Sequence, residues 1–199
     1  MKKMLALAAL LTVTALTPGA GAALDENRLG LFYDQAATIH EIDITANTQQ
    51  VLYLVLINPV SDLGSVQVVG GFECSIVPAT GDLLLDVSFP VGAINVNGSP
   101  DNLMVGFENG GLAVASGGGT TLASLSVLTM GNNPEGYFLQ PSSPSSYPNT
   151  MAYLDLSGAE GLIVGAMPVS GAYDLPVFTF GDYSIEENRK WGDVKSLYR

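Results

Sequence analysis

Few residues of this chain are of types that do chemistry. It has one histidine, His40, one cysteine, Cys74, and nineteen Asp or Glu residues. A Ser-His-Asp hydrolase would have to use His40, because activating a hydroxyl needs a base that titrates near neutrality within hydrogen-bond reach. His40 lies in Thr38-Ile39-His40-Glu41-Ile42-Asp43-Ile44, whose alternation places it opposite Ile39 and on the side of Ile42 and Ile44. That spacing predicts a partly buried, hydrogen-bonded strand residue. No Gly-x-Ser-x-Gly elbow accompanies it. Carboxylate pairs that hydrolyse glycosides stand ~5–10 Å apart, a separation set by the fold, and no pair stands out in the sequence. Gly117-Gly118-Gly119 lacks the lysine of a phosphate-binding loop.

Cys74 sits in Val66-Gln-Val68-Val-Gly70-Gly71-Phe72-Glu73-Cys74-Ser-Ile76. Alternation puts Val66, Val68, Phe72, Cys74 and Ile76 on one face, so Cys74 reads as a small buried core residue. A single cysteine permits neither an intrachain disulfide nor a Cys-rich zinc site. The acids are dispersed: Glu41 and Asp43 alternate, Asp82 and Asp86 flank a strand, and Asp155 and Glu160 bracket a turn. None forms the Asp-x-Asp-x-Asp-Gly loop of a calcium site, so no cofactor is expected, and Ca²⁺ would need ligands that folding alone brings together. The chain therefore reads as non-enzymatic.

The elements that must position these residues have a period of two almost throughout. Candidate strands are Gln50–Pro59, Leu63–Val77 (one long strand, or two with a bend at Gly70-Gly71), Leu83–Phe89, Leu103–Phe107, Leu112–Ala115, Thr121–Met130, Tyr137–Gln140, Ala152–Leu156, Leu162–Ala166 and Ala172–Phe180. Glu108-Asn-Gly-Gly111 predicts a hairpin between Leu103–Phe107 and Leu112–Ala115. Asn95–Pro100 reads as a loop, Asp34–His40 as a short turn, and Pro141–Asn149, rich in Pro and Ser, as a surface loop. Short strands punctuated by Gly and Pro predict an all-β fold. It is a single, mostly antiparallel β-sandwich of jelly-roll or immunoglobulin-like type, with a closed barrel as the alternative.

The start of the chain carries an address. Lys2 and Lys3 precede a thirteen-residue apolar stretch, Met4–Leu16, and Ala20-Gly-Ala22 supplies small residues for cleavage after Ala22. A membrane-spanning helix needs ~20 apolar residues, so residues 1–22 read as a removed secretory signal. Residues 23–183 then form the sandwich and 184–199 a basic tail, with a short helix expected in it. The protein is expected to be secreted: periplasmic, cell-surface or extracellular.

Charge is distributed unevenly. No Lys or Arg occurs between Leu29 and Asn188, a stretch holding sixteen Asp or Glu, whereas Arg189, Lys190, Lys195 and Arg199 crowd the end. The net charge of −12 speaks against a nucleic-acid partner, whose phosphates this body would repel. A helix from Trp191 would place Trp191, Val194 and Tyr198 on one face, with Lys195 beside them. With Arg199, these five are the predicted partner-binding residues. Tyr147, in the Pro/Ser loop, is the tyrosine expected to be exposed.

Tyr53-Leu-Val-Leu-Ile-Asn-Pro, Gly70-Gly-Phe-Glu73, Leu83-Leu-Leu-Asp-Val and Thr120-Thr-Leu-Ala-Ser-Leu-Ser-Val-Leu together resemble the cohesin-like and carbohydrate-binding jelly-roll sandwiches, across residues 29 to 181. The resemblance implies a non-catalytic fold used for protein docking or sugar binding, and it is the architecture that carries over. The ending Trp191-Gly-Asp-Val-Lys-Ser-Leu-Tyr-Arg199 resembles a terminus of uncharacterised exported bacterial proteins. The expected function is an exported binding or assembly module of the bacterial cell surface or extracellular space, with the tail as a sorting or docking segment. Its partner would be a surface protein or glycan, with homo-assembly as a further contact. A filament or sheath subunit and a secreted carboxylate hydrolase are the alternatives.

Overall fold

The computed structural model describes residues 26–78, 83–115, 119–131 and 134–183. Among these, the strands in chain order are β1 Arg28–Phe32, β2 Glu41–Ile42, β3 Thr48–Ile57, β4 Val60–Ser61, β5 Gly64–Ser65, β6 Val68–Pro78, β7 Leu83–Ser88, β8 Ala93–Asn95, β9 Asn102–Phe107, β10 Leu112–Ala113, β11 Gly119–Thr129, β12 Glu135–Gln140, β13 Met151–Asp155, β14 Leu162–Pro168 and β15 Phe178–Phe180. The fold is all-β, and its two sheets enclose one principal core.

The first sheet runs β7-β11-β3-β1, all antiparallel. The second is built on β6. One edge of β6 takes β9 and then β10, and β8 lies beyond β9. The other edge takes β12, paired with Ser75–Pro78, and then β13, paired with Val69–Glu73. β14 lies outside β13, β15 outside β12, and β2 runs parallel to β15. β1 and β14 pair in parallel, Arg28 with Met167 and Leu29 with Pro168, and hydrogen-bond the two sheets along one seam. The strands do not close into a barrel, since β7 and β8 pair only with β11 and β9.

Inward-facing residues alternate along both sheets. Leu52, Leu54 and Leu56 of β3 and Leu122, Leu125 and Val127 of β11 meet Phe72, Cys74 and Ile76 of β6 and Tyr137 and Leu139 of β12, all essentially inaccessible to water. Cys74 is buried within this core, as expected.

Several expectations are corrected. Glu108–Gly111 does not join a hairpin: β9 and β10 never pair with each other but follow one another along the same edge of β6. The hairpin is β8–β9, so part of the predicted Asn95–Pro100 loop is strand. β6 runs unbroken through Gly70-Gly71 as one strand, and the two glycines carry a bulge, where the partner of β13 skips from Gly71 to Val69. The bulge switches the parity of the strand, so Val69 is buried instead of the predicted Val68. β1 carries no clear sequence signal. Its five residues are held by pairing on both sides, and the described strands outnumber those expected because short strands such as β1, β4 and β8 were not among the candidates.

Candidate functional site

The interrupted strands create the most distinctive surface feature. β12 and β13 run in one direction along one edge of β6 and form a single strand broken by residues 141–150, which leave the sheet and fold over its outer face. Glu73 holds them there. Its side chain points outward from β6, since Phe72 and Cys74 point in, yet the residue is only 4% exposed. Glu73 Oε1 accepts the N–H of Ser146 at 2.8 Å and of Tyr147 at 3.2 Å, and Oε2 lies 3.0 Å from Ser146 N. A second pin is reciprocal: Asn102 Nδ2 donates to Ser143 O at 2.7 Å, and Ser143 N–H donates to Asn102 Oδ1 at 3.0 Å. Short-range turns such as Thr150 N–H to Tyr147 O complete the loop.

Beside this loop lies a groove of about 300 Å³ across the outer faces of β9, β6, β13 and β14. Gly70, Gly71 and Gly106 line it as bare backbone, Val96, Met104, Leu154 and Ile163 supply the apolar surface, and Glu73 and Ser146 are polar residues at its side. Glycine is needed at position 71 because a Cβ there would run into the carbonyl oxygen of Val105, whereas a Cβ on Gly106 would meet open space. Val96 and Ile163 are 67% and 47% exposed, and Ile94 on β8 52%. Such a surface gains free energy when an apolar side chain covers it, ~25 cal/mol per Å² removed from water. It offers few polar groups for the hydroxyls of a sugar. Sequence reasoning missed the groove: its glycines come from different strands, and only pairing sets them side by side.

The predicted chemical residues are scattered. His40 is exposed, not partly buried. β2 begins only at Glu41, and the His40 carbonyl accepts the N–H of Thr179 at 3.0 Å. Asp34 closes the preceding loop, accepting Thr38 N–H at 2.9 Å and Ile39 N–H at 2.8 Å on Oδ1 and the Thr38 hydroxyl on Oδ2. Burial raises its carboxyl, but these hydrogen bonds together outweigh that and leave it below the ordinary value. Asp155 behaves alike: burial raises it, and the Ser157 and Ser61 hydroxyls with the Ser157 amide bring it below its usual range. Burial, then the charge of Asp155, pushes the Tyr153 phenol up; its hydroxyl donates to Asn27 Oδ1 at 2.7 Å and lies 3.1 Å from Val60 O. Burial, with Glu73 adding, pushes the Cys74 thiol up to about 12. Among the described residues, no three His, Cys, Asp or Glu side chains gather in one place. Tyr147 is exposed, and so is Tyr33. Residues 1–22 and the tail residues Trp191, Val194, Lys195, Tyr198 and Arg199 lie outside the described residues. No described helix is long and apolar enough to cross a membrane.

No protein-family model matches the chain, and no curated protein matches it. Solved structures of similar shape are cohesin modules. They include CaCohA2 of Clostridium acetobutylicum in complex with a CaDoc0917 variant (13% identity, 70% of this chain and 99% of that one, TM-score 0.43). Another is the sixth cohesin of Acetivibrio cellulolyticus scaffoldin B in complex with a Cel5 dockerin variant (12%, 72% and 100%, TM-score 0.41). A third is the cohesin module of a Clostridium perfringens family 33 glycoside hydrolase (9%, 71% and 98%, TM-score 0.40). At these scores the likeness assigns the chain neither a family nor a function.

Proposed function

We propose that this protein is an exported, non-enzymatic binding or assembly module of the bacterial cell surface or extracellular space, and that it docks a polypeptide through the outer groove of the second sheet. The observation that carries this reading is the apolar groove itself, lined by bare backbone at Gly71 and Gly106 and bordered by a loop fastened to Glu73. Hydrogen bonds to the loop engage the Glu73 carboxylate, so the groove's chemistry is the recognition of apolar surface. A body without Lys or Arg from Leu29 to Asn188 favours a partner that brings positive charge. A protein partner fits better than a glycan, because the groove lining holds apolar aliphatic side chains where sugars would stack on exposed rings.

The test is a double substitution on the groove's rim, Met104→Glu with Ile163→Glu, in the full-length gene. Burying one aliphatic side chain contributes ~1.5–3 kcal/mol, so retention of the protein on its producing cells should fall about ten- to a hundredfold. Retention equal to that of the wild type, with the variant folded, would overturn the reading. Sedimentation of surface-extracted wild-type protein as long polymers would favour the filament subunit instead.

A further inference from the structure

We propose that the corner between the end of β13 and the β4–β5 hairpin binds a hard divalent cation of the calcium class, with Asp155 Oδ2 as its charged ligand and the Ser61 and Ser157 hydroxyl oxygens beside it. The inference is independent of the groove reading. Asp155 is the last residue of β13 and is only 1% exposed. Its Oδ1 accepts the N–H of Ser157 at 2.8 Å. Its Oδ2 is sealed from solvent and has no hydrogen-bond partner, the only buried side-chain oxygen or nitrogen of which this is true among the described residues. A buried carboxylate oxygen without a donor is unfavourable unless a cation meets it.

The neighbouring donors are committed elsewhere. The Tyr153 hydroxyl, on the same side of β13, donates to Asn27 Oδ1 at 2.7 Å, and the Leu156 N–H to Val68 O at 3.0 Å. The Ser61 and Ser157 hydroxyls face the carboxylate. Each offers its oxygen to a backbone amide, Ser61 to Leu63 at 3.1 Å and Ser157 to Gln67 at 2.7 Å, and neither closes a hydrogen bond to Oδ2. Charge points the same way. Arg28 is the only Lys or Arg among the described residues, and its Nη1 donates to Pro168 O at 3.3 Å. Asp62 in the hairpin and Glu160 in the β13–β14 turn add negative charge to the two segments that meet here, where a Cβ on Gly158 would sit 2.7 Å from Leu63 Cδ1. Carboxylate and hydroxyl oxygens are ligands for hard cations, and calcium tolerates an irregular set completed by water, whereas magnesium demands a near-ideal octahedron. β4 and β5 pair only with each other, so the hairpin can shift to seat the ion, which then ties it to β13. A site with one carboxylate is weak, with Kd ~10⁻⁴–10⁻³ M, the range of extracellular modules.

Thermal unfolding of the purified full chain tests the site, first in chelator-treated buffer and then with CaCl₂, MgCl₂ or NaCl at matched ionic strength. CaCl₂ at ten times Kd should lower the unfolding constant about elevenfold and raise Tm by roughly 3–6 °C, with MgCl₂ giving less and NaCl no saturable rise. Calorimetric titration of the wild type should show saturable calcium binding. Asp155→Asn should abolish the calcium-dependent rise. Ser61→Ala, which leaves the carboxylate in place, should weaken half-saturation by about three- to tenfold, and it decides the matter should Asp155→Asn fail to fold. Absence of saturable calcium binding would overturn the proposal and leave Oδ2 to a water or to the Ser61 hydroxyl. An equal rise with all three salts would mean screening of an acidic surface and overturn it too. So would a calcium response that persists in Asp155→Asn, or half-saturation unchanged in Ser61→Ala.

Discussion

The Glu73 carboxylate accepts the backbone N–H of Ser146 at 2.8 Å, joining two residues 73 positions apart and folding the 141–150 loop onto the outer face of the second sheet. Without that acceptor, the Ser146 and Tyr147 amides would lose their side-chain partner and the buried end of the 141–150 loop its anchor, so the break between β12 and β13 would have no defined path. Glu73→Ala should therefore lower stability by ~1–3 kcal/mol, a fall in Tm of roughly 2–10 °C for a domain of this size. Glu73→Gln keeps one acceptor oxygen and should lose less. Hydrogen exchange at Ser146 and Tyr147 checks the assignment, because both amides should lose protection in Glu73→Ala while the β3 and β11 amides keep theirs.

The two glycines of the groove should respond oppositely to alanine. A Cβ at Gly71 meets the Val105 carbonyl, part of the β6–β9 ladder, which cannot withdraw without breaking the pairing. Gly71→Ala should cost ~1–3 kcal/mol or more. Gly106→Ala adds a methyl to open space and removes backbone freedom from the unfolded chain, so it should be neutral or stabilise by up to ~1 kcal/mol. Urea denaturation of both variants measures the contrast, and equal effects would refute the assigned packing.

Acid should weaken the fold through two carboxylates. Asp34 and Asp155 are both held below the ordinary value of 3.8. A carboxyl depressed in the folded state stabilises fully above its unfolded value, and that contribution fades as pH falls through the folded value. Stability should therefore drop as pH is lowered from about 5 towards 2. Asp155→Asn should be less stable than wild type at pH 6 and show a shallower decline. A parallel decline in both proteins, followed by thermal unfolding across pH, would rule out a contribution from Asp155.

Cys74 should be chemically silent until the protein unfolds. The thiol is wholly buried and pushed up to about 12, so little thiolate exists at pH 8. Alkylation should be at least roughly a thousandfold slower than in urea, and its rate should follow global unfolding. Rapid labelling of the native protein would contradict the packing of β6 against β3 and β11.

The all-β class, the burial of Cys74 and the exposure of Tyr147 in its Pro/Ser loop were legible in the order of residues alone. They follow from alternation and turn chemistry, which act over a few residues and are written wherever a strand faces one core. The segregation of cations into the last residues is likewise a matter of composition. Register and partner choice were not legible in this way. Alternation fixes which residues share a face only while register is unbroken, so the Gly70 bulge moved burial from Val68 to Val69 without any local warning. Glu108–Gly111 carries the chemistry of a hairpin, yet β10 pairs with a second edge position on β6 instead of with β9. Strand partners are chosen by long-range burial and hydrogen bonding across the whole sandwich. For that reason Gly71, Gly106, Leu154 and Ile163, far apart in the chain, became one groove only when β9, β6, β13 and β14 came into line.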